Sequence, residues 1–358
     1  MARGDLGLVR RRLVAQRLTG IASATPAEAA GWALAIQGQE AAEVRWSIAQ
    51  RTRGATDASV GAALDRGELV RTHVLRPTWH VVAPEDLRWL LRLTGPRVQR
   101  TNAPYYRQAG LDDALLARLH DVLRAELEGG RARTKQELMP ALAEGGMADD
   151  PWVAGCALMH AELEALICNG PRARTRHTYA LCDERGVPPA PERDREDDVA
   201  ELCVRFLRSH GPSTAKDLGW WSSLTLADLQ AGLGRAGEAV VEQDGGLWSA
   251  ADPPPRRRRG APRALLLGTF DELVVAHQGV RYVWRGEPGE ALSMRPVLVD
   301  GETVGSWRRT TGKRALAVEV VLRAPLDDDE HAAVAAEAER LGAFHGLPVT
   351  LEVRAAAP

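Results

Sequence analysis

One order of predicted elements occurs three times along residues 1–252, and it restricts the possible folds more than any other feature. Each copy has an amphipathic helix, a short capped helix and a third helix, followed by two strand-like segments that meet at a turn. The copies agree best between RTKQEL and STAKDL, where a hydroxyl side chain precedes a short helix. This is the order of a winged helix, whose second and third helices form a helix-turn-helix. The sequence therefore predicts three tandem winged helices, at 1–110, 111–190 and 191–252.

The chain changes character after the third copy. Prolines and arginines in DPPPRRRRGAPR indicate a linker over 253–262. Segments such as ALLLGTFDELVVAH and ALAVEVVLRAPL look like strands, with turns at Asp300-Gly301 and Thr311-Gly312. One helix follows, with acidic residues at its N-terminal end, where the helix dipole favours them. We therefore expect a β-barrel with one helix over 263–358, in a protein that is mainly α with β.

Positive charge is concentrated at the start of the chain. The whole sequence has a net charge of −2, yet residues 1–110 contain 16 Arg against 9 Asp and Glu. Such an asymmetry indicates a local surface for an anionic partner. Alternatively, arginine is simply the preferred cation here, since lysine occurs only at Lys135, Lys216 and Lys313. That alternative explains the choice of arginine but not the asymmetry.

Several classes of protein are disfavoured by the sequence. No segment approaches the ~20 apolar residues that span a bilayer, and no glycine-rich phosphate loop is evident. The four cysteines lack the C-x-x-C spacing of zinc sites. We expect reduced, buried cysteines in a cytoplasmic monomer that needs neither a metal nor a cofactor and does not associate with membranes.

Two glutamines, Gln37 and Gln39, interrupt an otherwise apolar segment, LAIQGQE. A buried amide needs several hydrogen-bond partners, and leaving them unmade is costly. Residues i and i+2 do not share a helix face, so both amides can reach one site only if the chain leaves the helix there or a helix ends there. Gly38 permits this, because glycine tolerates most backbone geometries. The alternative is an amide pair that joins one unit to the next by hydrogen bonds.

The segments LAIQGQEAAEVRWSIAQR, LVRTHVLRPTWHVVAPEDLRWLL, GTFDELVVAH and RPVLVDGETVGSWRR resemble the winged-helix DNA glycosylases of the AlkZ type. The resemblance extends over nearly the whole chain in the same order. It implies that Gln37-Gly38-Gln39 is the catalytic Gln-x-Gln motif, although the middle residue in the family is usually aliphatic. A related branch has Gln-x-Asp, so Gln39 indicates the branch associated with bulky natural-product lesions. The implied partner is double-stranded DNA carrying alkylated bases, and the implied roles are crosslink repair and antibiotic self-resistance.

The chemistry of such a motif can be derived from the residues. Hydrolysis of an N-glycosidic bond passes through an oxocarbenium-like sugar. Alkylation at N7 gives guanine a positive charge, so the base departs neutral without a general acid. The enzyme then needs mainly to hold a water near C1′ and to stabilise the sugar cation. Two amide oxygens can do both, which predicts that Gln37 and Gln39 form a water-positioning pair.

Four further side chains are candidates for DNA contact. His80, in RPTWHVV, is placed to contact a phosphate or the lesion strand, although a hydrogen-bonded strand histidine beside Trp79 is an equal alternative. Arg45, Arg71 and Arg76 are expected to contact phosphates. The alternative for these three is a solvated surface, where exposed arginines are common.

Two questions stay open from the sequence. Asp271 and Glu272 match a motif of the resembled family, and we expect them to be structural or DNA-facing rather than catalytic. The predicted third helices, such as SVGAALDRGEL, offer few side chains that pair with base edges, so direct readout of a long operator is not expected. A non-enzymatic winged-helix regulator or drug-sequestering DNA binder is the alternative function, and base release from alkylated DNA would separate the two.

Overall fold

The protein has mixed α/β structure. The computed structural model describes residues 5–252, 256–279, 281–286 and 295–356. Parts of the predicted linker (253–255) and of the predicted barrel (280, 287–294 and 357–358) therefore lie outside the described residues.

The predicted first unit opens with helix α1 (Leu6–Ala15). The elements that match the other two units follow this helix. The unit itself contains three helices and a three-stranded antiparallel sheet of order β1-β3-β2. Its elements are α2 (Pro26–Ala33), β1 (Ile36–Gln37), α3 (Ala41–Gln50), α4 (Asp57–Arg66), β2 (Val70–Arg76) and β3 (Thr78–Val82). The predicted second helix is α2 and the predicted third helix is α4. Helix α3, which lies between them, was not predicted.

A long helix, α5 (Pro84–Gln108), leads from the first unit to two further units. The second contains α6 (Asp113–Leu127), α7 (Lys135–Glu144), α8 (Pro151–Leu163), β4 (Ile167–Asn169) and β5 (Tyr179–Leu181). The third contains α9 (Arg195–His210), β6 (Ser213–Thr214), α10 (Ala215–Ser222), α11 (Leu226–Ala236), β7 (Val240–Gln243) and β8 (Leu247–Ala250). The predicted turn between β7 and β8 is confirmed, since Gly245 and Gly246 both have positive φ.

All three units share one order of elements. A helix is followed by a short strand, two helices and two strands, and the short strand pairs with the final strand. In the second unit a single bridge between Arg133 and Tyr179 takes the place of the short strand. The hydroxyl caps predicted in RTKQEL and STAKDL are confirmed. Thr134 forms a capping box at the start of α7, and of the two candidates at α10, Ser213 and Thr214, it is Thr214 that forms one.

The C-terminal region contains an open sheet, and the predicted β-barrel is wrong. The elements are β9 (Ala264–Leu266), α12 (Glu272–Val275), β10 (Pro296–Val299), β11 (Glu302–Thr311), β12 (Leu316–Leu322), α13 (Asp328–His345) and β13 (Val349–Ala355). The strand order is β13-β12-β11-β10-β9, so β9 and β13 form two edges within the described residues. Strand β13 is parallel to β12, because α13 crosses over between them. The parallel return places β13 outside β12 instead of beside β9.

Part of the predicted strand region is helical. In GTFDELVVAH the side chain of Asp271 accepts a hydrogen bond from the backbone of Leu273 and caps α12. This local cap is a stronger determinant here than the β-branched residues, Val274 and Val275, that suggested a strand.

Hydrophobic contacts cross the predicted domain boundaries. One buried cluster joins α2, α3 and α4 to the C-terminal sheet and α13. Trp46 illustrates this, because its ring lies 5.1 Å from that of Phe344 and its Nε1 donates to the Leu266 carbonyl at 2.7 Å. The first unit is therefore packed against the C-terminal sheet and α13. This contact includes Ile36, the neighbour of Gln37 on β1.

Candidate active site

The chain leaves regular helix before the glutamine motif, as the sequence requires if both amides are to serve one site. Helix α2 ends at Ala33, and Leu34 has a φ of 66°. The backbone then extends as β1, with Gln37 opposite His80 on β3. The glutamine motif therefore begins on an edge strand of a small sheet, outside regular helix.

Gln37 is held by two charged side chains. Its carbonyl oxygen, Oε1, accepts a hydrogen bond from Nη2 of Arg76 at 2.7 Å. Its backbone N–H donates to Oε1 of Glu272 at 2.5 Å. Because a guanidinium only donates, the contact with Arg76 fixes which end of the amide faces it. Gln37 is half-buried, so the amide is oriented yet still reaches the surface.

Gln39 is exposed and more loosely held. Its Oε1 accepts from the backbone N–H of Trp79 at 3.4 Å, while Gly38 N–H donates to the Trp79 carbonyl at 2.6 Å. Arg71 binds the motif from the other side, donating to the carbonyl oxygens of Gly38 at 2.8 Å and Gln39 at 3.2 Å. The guanidinium of Arg71 also stacks over the Trp79 ring at 4.2 Å. The backbone of the motif is thus fixed even where its side chain is free.

Gly38 is not required by crowding. A Cβ at this position would lie 3.4 Å from the nearest atoms, in His80 and Val81, which is ordinary van der Waals contact. Its φ is not positive. An aliphatic residue is therefore sterically compatible with this backbone. The glycine is restrained by the hydrogen bond that its N–H donates to Trp79 and by the one that its carbonyl accepts from Arg71.

His80 lies beneath the motif and is fully buried. Burial, followed by the positive charge of Arg76, lowers the pKa of its imidazole well below the usual value, so the ring is neutral. Neither ring nitrogen has a hydrogen bond of normal geometry among the described residues, and the same holds for Oγ1 of Thr72 and Thr78. Unpartnered polar atoms are unusual inside proteins, and His80 lies between Gln37 and Thr72 in the strand register.

The arginines predicted to contact DNA have other partners. Arg45 forms an ion pair with Asp57 at 2.6 Å, at the start of α4. Arg71 and Arg76 are largely buried, and burial lowers the pKa of both guanidinium groups. Together with buried His80, they surround the glutamine motif instead of facing solvent. Direct phosphate contact stays a prediction for all four side chains, and the geometry favours a supporting role for Arg71, Arg76 and His80.

Asp271 and Glu272 are structural. Both are fully buried, so the DNA-facing alternative is wrong. Asp271 accepts two hydrogen bonds of 2.8 Å from Arg51, and Glu272 accepts one of 3.0 Å from Nε1 of Trp221 in α10. Since Glu272 also accepts the Gln37 N–H, it connects the third unit to the glutamine motif.

A basic loop beside the motif was missed by the sequence analysis. Residues 170–178 connect β4 to β5, and Arg174 and Arg176 on this loop are exposed. The next residue, His177, contacts Arg71, with 3.4 Å between Nδ1 and Nη1. Three arginines at alternate positions in RARTR were the available signal, since such a run at the tip of a hairpin typically contacts nucleic acid.

Two cavities are relevant to the site. One of about 350 Å³ adjoins Gln39 and lies between the β2–β3 hairpin and α8. A larger one of about 1010 Å³ lies between α1 and the third unit, and its lining includes Arg10, Arg11, Arg208 and Arg257. The larger cavity contains none of the predicted site residues, so the smaller one is the candidate for substrate contact.

Within the described ranges, no group of three or more His, Cys, Asp or Glu side chains could hold a metal ion. All four cysteines are buried and free. No helix in that part of the chain is long and apolar enough to cross a membrane.

Comparison with known proteins agrees with the resemblance. A family model described as DNA glycosylase AlkZ-like matches residues 30–344. The structure is similar to that of Streptomyces sahachiroi DNA glycosylase AlkZ, with a TM-score of 0.74 and 19% sequence identity. The match covers 97% of this chain and 98% of that one, and at this identity it establishes the fold alone. No curated protein sequence matches the chain.

Proposed function

The chain belongs to the AlkZ-like DNA glycosylase family, and from this premise we propose that it hydrolyses the N-glycosidic bond of cationic N7-alkylguanine adducts in double-stranded DNA. The proposed substrates include bulky natural-product adducts and interstrand crosslinks. The orientation of the Gln37 amide by Arg76 is the main supporting observation, because a water-positioning group must be held in a fixed direction. Family membership sets aside the alternative of a non-enzymatic regulator.

We also infer that the three repeated units are winged helices. Each has the order expected of that motif, and in each the first strand, or the bridge that replaces it, pairs with the last. On this interpretation the β4–β5 loop is the wing of the second unit, and α8 is its third helix, the one that enters the major groove in helix-turn-helix proteins. We keep the boundaries near 110, 190 and 252 as part of this proposal.

The proposed reaction has one bond-breaking and one bond-forming step. The bond between C1′ and N9 breaks, and its electron pair neutralises the alkylated guanine as it leaves. The oxygen of a water bound by the amides of Gln37 and Gln39 adds to C1′, and its proton passes to solvent. Amide oxygens also present partial negative charge to the sugar cation. Because glutamine is not a strong base, ordinary bases, which leave poorly, should be spared.

The exposure of Gln39 supports action on bulky and crosslinked lesions. A base tied to the opposite strand cannot be rotated fully into an enclosed pocket, as conventional base flipping requires. Here the motif is on a sheet edge, so the sugar can approach it while the base stays near the duplex.

The decisive experiment is base release from a duplex containing one 7-methylguanine, measured under single turnover as abasic sites. We expect excision by the parent protein and none from undamaged guanine. Duplexes with a bulky N7 adduct and with an N7–N7 crosslink test the wider substrate range. Absence of abasic sites with all alkylated duplexes, from a folded protein that binds DNA, would refute the proposal.

A further inference from the structure

The cavity beside Gln39 has the size and surface of a small-molecule pocket. Its volume of about 350 Å³ lies within the range of about 300–1,000 Å³ that is typical of ligand sites. Aromatic and sulfur-containing side chains form most of its wall, from His73, Trp79, Met159, His177 and Tyr179. Surfaces of this kind bind flat, polarisable groups.

A buried carboxylate holds two of these rings in place. Glu162 is fully buried and accepts hydrogen bonds from Nδ1 of His73 at 2.5 Å and from Nε1 of Trp79 at 3.1 Å. The two rings lie 4.9 Å apart. The aromatic wall is therefore preorganised, which reduces the entropy lost when a ligand binds.

His177 provides a directional polar group on the same wall. Burial is the main reason that its pKa is lowered to about 4, so the ring is neutral at physiological pH. Its Nδ1 faces Nη1 of Arg71, which only donates, so the ring proton is assigned to Nε2. Nε2 has no partner among the described residues. It can donate to an oxygen atom on a bound aromatic group.

One face of α8 leads into this cavity from the surface. Trp152, Gly155, Met159 and Glu162 recur at helical spacing, and Trp152 is 45% exposed. No atom lies within 4 Å of the place where a Cβ on Gly155 would be, so the glycine leaves the cavity open. This is the helix that we assign to the major groove, and N7 of guanine lies at the major-groove edge of the base.

We propose that this cavity receives the flat aromatic substituent that a bulky adduct places on N7, and that Gly155 determines whether such a substituent fits. The inference depends on the proposed function, because it assumes that Gln37 and Gln39 act on the sugar of the same nucleotide. The substituent leaves N7 on the side that faces α8, whereas C1′ faces the glutamine motif. A methyl group at N7 is too small to need the cavity.

The test compares two adducts and two matched variants. Gly155→Leu adds a side chain to the open face of α8, and Gly234→Leu makes the same change at an exposed, equally unobstructed glycine in α11. Single-turnover excision is measured on duplexes containing 7-methylguanine or guanine with a naphthylmethyl group at N7. We expect G155L to slow excision of the naphthylmethyl adduct about tenfold or more relative to excision of 7-methylguanine. G234L should affect neither.

Other outcomes are equally informative. Equal slowing of both adducts by a folded G155L protein would mean that the cavity holds the base itself, and would overturn the proposal. Unchanged excision of both would also overturn it. His177→Phe keeps the aromatic wall but removes the Nε2 donor, and should weaken excision of a hydroxynaphthylmethyl adduct relative to the naphthylmethyl one. Failure of the parent protein to release 7-methylguanine would instead count against the proposed function.

Discussion

The two glutamines differ in what their oxygens can still do. In Gln37, one lone pair of Oε1 accepts a hydrogen bond from a cationic guanidinium, whose positive charge offsets the negative potential of that oxygen. In Gln39, Oε1 makes only a 3.4 Å contact with a backbone N–H and is exposed. We therefore expect Gln37 mainly to orient the water, and Gln39 to supply most of the electrostatic stabilisation of the sugar cation.

Alanine at either glutamine should slow excision while DNA binding and folding survive. Loss of a preorganised polar contact in an active site costs about 2.7–4 kcal/mol, or about 10²–10³ in rate. A cationic adduct supplies much of its own driving force, so the low end or less is expected. The double variant should lose less than the product of the single effects, because both amides hold one water.

Single-turnover excision and thermal unfolding of the same glutamine variants distinguish catalysis from structure. If the amides only join two units, melting temperatures will fall and excision per folded molecule will be unchanged. Gln39→Asp should retain activity on small adducts, since a carboxylate also holds water. Normal excision by a folded double variant would contradict the catalytic assignment.

Arg76 is a positioning residue for Gln37, and its replacement should lower the rate of chemistry more than DNA affinity. Arg76→Met removes a charged hydrogen bond, an interaction worth about 1.5–3 kcal/mol, so we expect a loss of about 10- to 100-fold in single-turnover rate. Arg76→Lys should restore part of it. Arg97→Met, on the exposed face of α5, is the control. A parallel loss of binding and rate in Arg76→Met would instead indicate a direct DNA contact.

Among the elements, we propose the β4–β5 loop as a surface for the DNA backbone. Arg174 and Arg176 are exposed there, and the neighbouring His177 lines the cavity that adjoins Gln39. Arg174→Gln with Arg176→Gln should weaken binding to undamaged duplex. The slope of log K against log salt should decrease by about one for each phosphate that the variant no longer neutralises.

Arg45→Gln is the comparison for this loop. The sequence predicts that Arg45 contacts phosphate, but the side chain is paired with Asp57. A titration of each variant against salt decides between the two positions. An unchanged slope in the loop variant, together with a reduced slope in Arg45→Gln, would indicate that Arg45 contacts phosphate, as the sequence predicts, and that the loop does not.

Local signals predicted the helical elements well, and long-range packing limited the rest. The caps of α7 and α10 act within three residues, so the sequence predicted Thr134 and narrowed the cap of α10 to Ser213 or Thr214. The open C-terminal sheet was not predicted, because closure into a barrel depends on which strand β13 pairs with. Helix α13 returns the chain so that β13 pairs with β12. Helix α3 was missed because its segment, AAEVRWSIAQ, follows the glutamine motif without a hydrogen-bonding cap.

The candidate site shows the same division. Gln37 and Gln39 could be predicted because they form a short motif, and their catalytic role stays a prediction. The partners of Arg71 and Arg76 could not be predicted. In a sequence, an arginine that faces solvent cannot be distinguished from one that binds a neighbouring amide. Only the pairing of β1 with β3 brings these guanidinium groups to the motif.

For the whole molecule, buried neutral histidines predict a loss of stability in mild acid. The folded state lowers the pKa of His120 and His177 to about 4, chiefly through burial, from an ordinary value of 6.5. Between these values the unfolded chain binds protons that the folded protein does not, so stability falls as pH falls from 6.5 towards 4. For His177 the limit is about 3 kcal/mol, at about 1.4 kcal/mol per pKa unit. Glu337, whose pKa is raised by burial, opposes this trend.

Urea unfolding at a series of pH values between neutral and about 4 measures this effect. His177→Asn cannot titrate in this range, so its stability should fall less steeply with acid than that of the parent protein. Parallel curves for the two proteins would show that His177 is protonated in the folded state, contrary to the geometry at Arg71.

The hydrogen bond between Gln37 and Glu272 has a consequence for the order in which the protein is made. Its partners are 235 residues apart, and Glu272 is itself held by Trp221. During translation, the strand containing Gln37 leaves the ribosome long before its acceptor has been synthesised. A nascent chain, or one cut before residue 272, contains both glutamines but lacks the carboxylate that holds the Gln37 N–H. We therefore expect that excision requires synthesis at least as far as Glu272, and that the first unit alone excises poorly.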